Sequence, residues 1–301
     1  MSILLDAPTR ILVQGLTGGQ AGVDTERALR YGACVVAGVT PGRGGETVHG
    51  LPVYDTVSEA TAAHAIDATI VYVPPFAVRD AVLEAIEQRI QLIVVTAEGV
   101  PIHDAAFVIA AAHAAGVKLV GCNTNGIISP GRSRIGGIGG EDPAEIYVPG
   151  RVGICSRSGG MSAELALMLK ASGYGVSTCV SMGGDRLTGL DMSDYAQLFE
   201  HDPETDAIVV FGEPGTRNER VLATAMRTHR VTKPVVALIA GVFQEAYPRG
   251  RSFGHAAALV RHHDDTASAK IEMLRHAGAH VVATLDEIPD VLRRTIGEAR
   301  S

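Results

Sequence analysis

A glycine-rich stretch between an apolar run and a helical pattern constrains the fold more than any other feature of this chain. Residues 10–14 form the apolar run, Gly15-Leu-Thr-Gly-Gly-Gln-Ala-Gly22 is the loop, and 23–31 has the amphipathic pattern of a helix. A second apolar run follows at 33–39. Strand, loop, helix and strand in this order predict a βαβ unit with a right-handed crossover, and therefore a parallel sheet.

The same alternation continues along the chain, and its strands are near-continuous apolar runs, as expected when helices cover both faces of a sheet. In the first half the predicted strands are 68–73, 91–95 and 117–121, and the predicted helices are 76–89 and 104–115. In the second half the predicted strands are 152–155, 176–181, 207–211, 234–239 and 280–283, and the predicted helices are 161–171, 194–200, 218–228, 266–277 and 285–298.

A length of 301 residues fits two domains of about 150 residues each. A Gly-, Pro- and Ser-rich connection at 129–140 separates the two alternating series, and such composition is typical of a linker. We therefore predict two α/β domains, 1–130 and 150–301, joined by a linker at 131–149.

Composition excludes several classes of partner. The formal net charge is -7, aromatic residues are 4% of the chain and there is no Trp, which argues against binding to nucleic acid or to an anionic membrane surface. No apolar run approaches the roughly 20 residues that span a bilayer, and residues 1–10 lack the features of a signal peptide. Four well-separated cysteines in or beside apolar runs predict small buried side chains, and a reducing cytoplasm as the location.

The first glycine loop favours a ligand that carries phosphate. Its backbone amides and the following helix N-terminus form an anion site. The spacing differs from the dinucleotide pattern GxGxxG, and no acidic residue ends the second strand; Arg43 follows it instead. A structural turn is the alternative interpretation.

Ser156-Arg-Ser-Gly-Gly160 lies where a predicted strand meets a predicted helix. Hydroxyls, an arginine and the helix N-terminus match the charge of a phosphate, although a serine there is also a common helix cap.

A histidine and a glutamate complete the candidate chemistry. His255 lies between two glycines, Gly250 and Gly254, that free the backbone of a loop, and an apolar segment at 256–260 is predicted to start a helix. An imidazole is a competent nucleophile near neutral pH. Glu213 follows the strand at 207–211, where its carboxylate could accept a hydrogen bond from the imidazole and fix its tautomer.

Another histidine-rich stretch, His262-His263-Asp264-Asp265, resembles a metal cluster, but adjacent side chains diverge in most backbone conformations. We predict a solvated turn at a helix start, capped by Asp265 or Thr266. The chain has no P-loop, HExxH or GxSxG motif.

Taken together and in order, these motifs resemble the α subunit of succinyl-CoA synthetase, the ADP- or GDP-forming succinate–CoA ligase, almost from end to end. The motifs that carry the resemblance are Gly15-Leu-Thr-Gly-Gly-Gln20, Gly38-Val-Thr-Pro-Gly-Arg-Gly-Gly45, Tyr72-Val-Pro74, Thr96-Ala-Glu-Gly99, Ser156-Arg-Ser-Gly159, Gly212-Glu213 and Gly254-His255-Ala256.

The resemblance implies a Rossmann-like CoA-binding domain followed by a flavodoxin-like α/β ligase domain. It implies that His255 is phosphorylated and that Glu213 orients it. The residues implied to hold CoA are Thr17, Gly18, Gly19, Gln20, Arg43, Val73, Pro74, Thr96, Ala97 and Glu98, and those implied to bind the phosphate are Ser156, Arg157, Ser158, Gly159 and Gly160. ATP or GTP and Mg²⁺ are then expected on a separate β subunit, in an αβ or α₂β₂ assembly.

The chain departs from the family pattern at several positions. Arg43 replaces a lysine, Asn123-Thr-Asn-Gly126 replaces Asn-Cys-Pro-Gly, and Ala257 replaces a glycine. Ala163 stands where the family has a tyrosine associated with the organic acid, so the acid need not be succinate; malate, citrate and itaconate are other candidates. Two alternative functions stay open: an NAD-dependent oxidoreductase that uses the first glycine loop, and a non-catalytic CoA-binding partner subunit.

Overall fold

Two seven-stranded sheets with helices on their faces form the protein in the computed structural model, which describes residues 2–251, 253–255 and 257–297. Ser252 and Ala256 of the predicted histidine loop, and the predicted end of the last helix at Glu298, lie outside the described residues.

The first sheet has the strand order β3-β4-β2-β1-β5-β6-β7, and only the edge strand β3 runs antiparallel to its neighbour. Its strands are β1 (Arg10–Gln14), β2 (Cys34–Val39), β3 (Thr47–Val48), β4 (Leu51–Tyr54), β5 (Ala68–Val71), β6 (Leu92–Val95) and β7 (Lys118–Val120). Its helices are α1 (Gly19–Tyr31), α2 (Val57–Ala63), α3 (Val78–Glu87) and α4 (Ile102–Ala114).

The second sheet has the strand order β14-β13-β12-β10-β11-β8-β9. The five strands from β14 to β11 are parallel, and β8 and β9 form an antiparallel hairpin at the edge next to β11. Its strands are β8 (Gly126–Ser129), β9 (Ser133–Ile135), β10 (Pro149–Ser156), β11 (Val176–Ser181), β12 (Ala207–Gly212), β13 (Val235–Ile239) and β14 (His280–Val282). Its helices are α5 (Gly159–Ala171), α6 (Met192–Glu200), α7 (Asn218–Arg227), α8 (Ala267–His276) and α9 (Ile288–Ile296).

The predicted fold class, two α/β units with mainly parallel sheets, is confirmed. The central strands are buried along their whole length, as in β5, β6 and β12. That is why each strand is almost entirely apolar in sequence: helices cover both faces, so no position along these strands meets water.

The glycine-rich connection is more ordered than a linker. β8 and β9 pair with each other, and β8 also pairs with β11, so this hairpin extends the second sheet. The turn between them is closed by a hydrogen bond from the Arg132 amide to the Ser129 carbonyl, 3.0 Å long. The domain boundaries at 130 and 150 remain predictions, and by its pairing the hairpin belongs to the second unit.

Three local predictions were wrong. α1 begins at Gly19 rather than at 23, because the last glycines of the loop already form its first turn. Residues 257–260 form no helix, and α8 begins only at Ala267, with Thr266 as its side-chain cap. Cys34 is exposed, whereas Cys122, Cys155 and Cys179 are buried as expected.

Within the described ranges, none of the helices has both the length and the apolar character that crossing a membrane requires.

Gly153 shows how closely the second unit is packed. A Cβ atom at this position of β10 would lie 2.5 Å from Cε1 of the Phe199 ring, which is fully buried. Overpacking of this kind forces neighbouring side chains to move and costs about 1–3 kcal/mol.

We therefore expect Gly153→Ala to lower the free energy of unfolding by about 1–3 kcal/mol in a denaturant titration. The matched control is Gly22→Ala within α1, where the added methyl makes only ordinary contacts, the nearest at 3.7 Å, and where alanine favours the helix. Equal stability of Gly153→Ala and the unmodified protein would contradict the packing described for β10.

Candidate active site

The loops predicted to hold CoA lie together at the carboxyl ends of strands of the first sheet. The first glycine loop follows β1, Val73 and Pro74 follow β5, and 96–98 follows β6. The amides of Gly19 and Gln20, in the first turn of α1, have no hydrogen-bond acceptor among the described residues. This edge of the sheet therefore offers an open helix N-terminus to an anionic ligand.

A cavity of about 450 Å³ lies between the two units. The first unit contributes the α1 face, the ends of β5 and β6, and the loop after β7; the second contributes the start of α5 and the histidine loop. The lining residues are Gln20, Asp24, Arg27, Tyr72, Thr96, Asn123, Thr124, Asn125, Gly137, Arg157, Gly159, Ser181 and His255. Gln20 and Thr96, two of the residues predicted to hold CoA, thus line the same cavity as the predicted nucleophile His255.

The N-terminus of α5 forms part of that cavity. Ser158 is its N-cap, and its hydroxyl accepts from the Met161 amide at 3.4 Å, so the capping role is present. The Ser156 hydroxyl is engaged internally, since it donates to the Ser158 carbonyl at 2.7 Å. The amides of Gly159 and Gly160 have no acceptor in the described part of the chain, and they are the groups left for an anion.

His255 and Glu213 contact each other directly. The imidazole Nδ1 lies 2.9 Å from Oε1 and 3.0 Å from Oε2 of the Glu213 carboxylate. A carboxylate only accepts, so Nδ1 carries the proton and Nε2 keeps its lone pair. The Glu213 side chain is only 12% exposed and that of His255 31%, so the pair is shielded while the imidazole still reaches the cavity.

The hydrogen bond to Glu213 raises the pKa of His255 above its usual value, although partial burial of the imidazole acts in the opposite direction. The carboxylate stabilises the imidazolium form, so the neutral, nucleophilic imidazole becomes predominant at a higher pH than in a solvated histidine.

Gly184 packs against the other side of the imidazole. A Cβ at this position would lie 2.6 Å from Cδ2 and 2.9 Å from Nε2 of His255. Only a glycine lets the turn after β11 approach the ring so closely, and this contact together with Glu213 fixes the plane of the imidazole.

The backbone of Glu213 is held by a buried ion pair. Lys270 on α8 donates to the Glu213 carbonyl at 2.7 Å and to Oε2 of Glu219 at 2.5 Å. Glu219 on α7 in turn accepts from the Glu213 amide at 3.2 Å. Both charged side chains are essentially inaccessible, so α7 and α8 fix the loop that carries the carboxylate.

Arg157 adds positive charge beside the pair. It is 1% exposed, its Nε lies 3.5 Å from Glu213 Oε1, and its Nη2 donates to the Asp185 carbonyl at 3.1 Å. Its Nε and Nη1 have no hydrogen-bond partner among the described residues. A buried guanidinium with unused donors beside an open helix N-terminus suits a phosphoryl group.

The other residues predicted to hold CoA do not line this cavity, namely Thr17, Gly18, Gly19, Arg43, Val73, Pro74, Ala97 and Glu98. Arg43 is exposed and its Nη2 donates to Glu46 at 2.7 Å. Ala163, within α5, is not among the described residues that line the cavity. Within the described residues no group of three or more His, Cys, Asp or Glu side chains could hold a metal ion.

Sequence reasoning missed several residues of this site, namely Asp24, Arg27, Asp185, Glu219 and Lys270. Asp185 could have been found, because residues 183–185 come just after β11 and so lie at the same edge of the sheet as the other candidate loops of this unit. No sequence signal pairs Glu219 with Lys270, because they lie on different helices.

Comparison with known proteins agrees with this arrangement. Residues 6–99 match the model of the CoA binding domain, and residues 149–294 match the succinyl-CoA ligase like flavodoxin domain. The α2 subunit of an ADP-forming succinate–CoA ligase from Archaeoglobus fulgidus is 44% identical over 97% of this chain and 99% of its own length. The α subunit of a malate–CoA ligase from Methylorubrum extorquens is 40% identical over 93% of this chain and 94% of its own.

Among solved structures, the ATP citrate lyase of Methanosaeta concilii in complex with (3S)-citryl-CoA superposes with a TM-score of 0.90 at 29% identity. The match covers 97% of this chain, which spans about half of that longer chain.

A CoA-binding domain is followed by a ligase domain, and His255 of the ligase domain lines the cavity between them; this combination defines the class of acid–CoA ligases. Within that class, the chain belongs to the family of succinate–CoA ligase α subunits.

The buried ion pair leads to a stability prediction. Lys270→Met leaves Glu219 charged, buried and unpaired, so we expect the free energy of unfolding to fall by about 3–5 kcal/mol. The control is Arg220→Gln, which breaks the exposed pair with Asp264 (51% and 62% exposed side chains) and should cost no more than about 1 kcal/mol. Similar losses in the two variants, measured by denaturant unfolding, would argue against a supporting role for Lys270.

Proposed function

We propose that this chain is the catalytic α subunit of an acid–CoA ligase that makes an acyl-CoA from a carboxylate, CoA and a nucleoside triphosphate. A phosphohistidine at His255 and an acyl phosphate are the intermediates. ATP or GTP and Mg²⁺ bind on the β subunit. The observation that carries the proposal is the His255–Glu213 hydrogen bond, in the same cavity as Arg157 and the open N-terminus of α5.

The first step forms the phosphohistidine. Nε2 of His255 attacks the γ-phosphorus, the bond to the β-phosphate oxygen breaks, and the nucleoside diphosphate leaves with the electron pair. The Nδ1 proton stays in its hydrogen bond to Glu213, which offsets the positive charge that develops on the ring.

Two further transfers complete the reaction. A carboxylate oxygen of the acid attacks the phosphorus, the phosphorus–nitrogen bond breaks, and Nε2 recovers its lone pair. The CoA thiolate then attacks the carbonyl carbon of the acyl phosphate, and inorganic phosphate leaves. Arg157 and the amides of Gly159 and Gly160 supply the positive potential that binds the phosphoryl group through these steps.

Two other functions explain the geometry less well. An NAD-dependent oxidoreductase would need neither the His255–Glu213 pair nor the anion site at α5. A non-catalytic CoA-binding subunit would not need a buried ion pair that fixes the carboxylate behind the histidine.

The first test is phosphorylation itself. In the complex with the β subunit, the unmodified α subunit should take up label from γ-labelled ATP or GTP, and His255→Asn should take up none. His263→Asn is the control, since His263 is 81% exposed and lies outside the cavity. Undiminished labelling of His255→Asn would refute the proposed intermediate.

The second test uses pH. The neutral imidazole is the nucleophile, so labelling should increase as pH increases through the raised pKa of His255. Glu213→Gln removes the charge that raises this pKa, so the acidic limb of the profile should move to lower pH. The maximal rate should also fall about tenfold or more, the scale of a hydrogen bond to a charged group. A limb that stays in place or moves to higher pH would contradict the role of Glu213.

A further inference from the structure

Part of the cavity wall comes from one face of α1. Gln20, Asp24 and Arg27 are spaced i, i+4 and i+7, so their side chains leave the helix on the same side, and all three line the cavity that contains His255. The reaction steps derived above do not use Asp24 or Arg27.

Asp24 is a buried carboxylate, and one of its two oxygens has no hydrogen-bond donor among the described residues. It is 4% exposed, and its Oδ2 accepts from Gln20 Nε2 at 3.0 Å and from the Tyr72 hydroxyl at 2.9 Å. Burial raises the pKa of Tyr72 well above its usual value, so that hydroxyl remains a donor. No described residue donates to Oδ1 of Asp24. The positive charge of the buried Arg134 offsets part of the cost of burying this carboxylate, and the free oxygen can still accept a hydrogen bond from a ligand.

Gly137 leaves open the space that this oxygen faces. A Cβ built there would lie 3.2 Å from Asp24 Oδ2, 3.5 Å from Asp24 Oδ1 and 3.1 Å from Asn125 Oδ1. The backbone of Gly137 is not in the left-handed region, so space rather than conformation favours the glycine. Three oxygen atoms therefore border one small volume, and a ligand hydroxyl placed in it could donate to one of them.

This volume is close to the phosphate end of the cavity. A Cβ at Gly159, the first residue of α5, would lie 3.4 Å from Nδ2 of the same Asn125. Asn125 therefore borders both the oxygen cluster at Gly137 and the open helix N-terminus. A small acid whose reacting carboxylate lies at α5 has its remaining groups beside Asp24.

Arg27 supplies a positive charge one helical turn from Asp24. Its side chain is 29% exposed, and its ion pair with Glu141 is long, at 3.9 Å, with a partner that is 74% exposed. Such a pair is weak, so the guanidinium is available to a second anionic group of the ligand.

We propose that Asp24, Asn125 and Arg27 form a specificity subsite for the non-reacting end of the acid, and that they select a hydroxy acid with a second acidic group. The Asp24 carboxylate accepts the one hydrogen bond that the hydroxyl can donate, Asn125 borders the same volume, and Arg27 binds the second carboxylate. This inference rests on the proposed ligase function, since it requires an acid to react at His255.

The test compares (S)-malate and succinate, which differ by one hydroxyl, in CoA-dependent acyl-CoA formation by the complex with the β subunit. The unmodified complex should prefer malate in kcat/KM. Arg27→Gln should raise KM for both acids about tenfold or more, and Asp24→Asn should lower the malate-to-succinate ratio of kcat/KM by a similar factor. KM for CoA and labelling of His255 should not change in either variant.

Two further variants separate a specific from a general effect. Arg30→Gln, on the same helix but outside the cavity lining, should leave both acids unaffected. Gly137→Ala fills the volume beside Asp24 without changing its charge, and should also reduce the preference for malate. If Asp24→Asn does not fold, Gly137→Ala still tests the subsite.

The outcomes are distinguishable. An unmodified complex without preference for malate, or an Arg27→Gln variant that changes KM for CoA and not for the acid, would overturn the subsite; the second result would assign these residues to the amide groups of the CoA arm. If His255 is labelled but the Asp24→Asn and Arg27→Gln variants show unchanged kinetics with both acids, the subsite is overturned and the ligase proposal is not. Absence of both labelling and acyl-CoA formation in the unmodified complex would refute the ligase proposal itself.

Discussion

The hydrogen bond between the His255 imidazole and the Glu213 carboxylate is the interaction on which the rest of the site depends. It fixes the tautomer, directs Nε2 away from the carboxylate and raises the pKa of the ring. A carboxylate that is nearly buried must itself be held in place, and the Lys270–Glu219 pair does this through the backbone of Glu213. Side chains from α7 and α8 therefore hold the backbone of one loop residue, Glu213.

The arrangement of the two sheets explains why the cavity lies between them. In parallel α/β sheets the loops at the carboxyl ends of the strands line the ligand crevice. Here the ends of β5 and β6 and the loop after β7 face the N-terminus of α5 and the histidine loop of the other unit. A ligand bound at the first sheet would thus lie beside His255, the proposed nucleophile, which belongs to the second unit.

Much of this could be predicted from the sequence, because long apolar strands that alternate with helices leave few alternatives in fold. The short elements were missed. α2 has Thr56 as its N-cap and Glu59 in its first turn, which is a recognisable capping signature, and the β8–β9 hairpin turns at Pro130-Gly131. Both elements are short and lie in Gly-, Ser- and Ala-rich sequence, where no apolar pattern marks them. The contact between His255 and Glu213 was expected, whereas the face of Asp24 and Arg27 was not, since those side chains line a cavity only once two domains meet.

The phosphoryl group on His255 is proposed as an intermediate on the reaction path, and a single-turnover experiment can show whether it is. The labelled phosphoenzyme is freed of nucleotide and mixed with the acid and CoA in a rapid-quench apparatus. If the phosphoenzyme is an intermediate, all label leaves as inorganic phosphate, one acyl-CoA forms per phosphate released, and the rate matches or exceeds steady-state turnover. Label that stays on the protein, or acyl-CoA that forms only after nucleotide is restored, would contradict it.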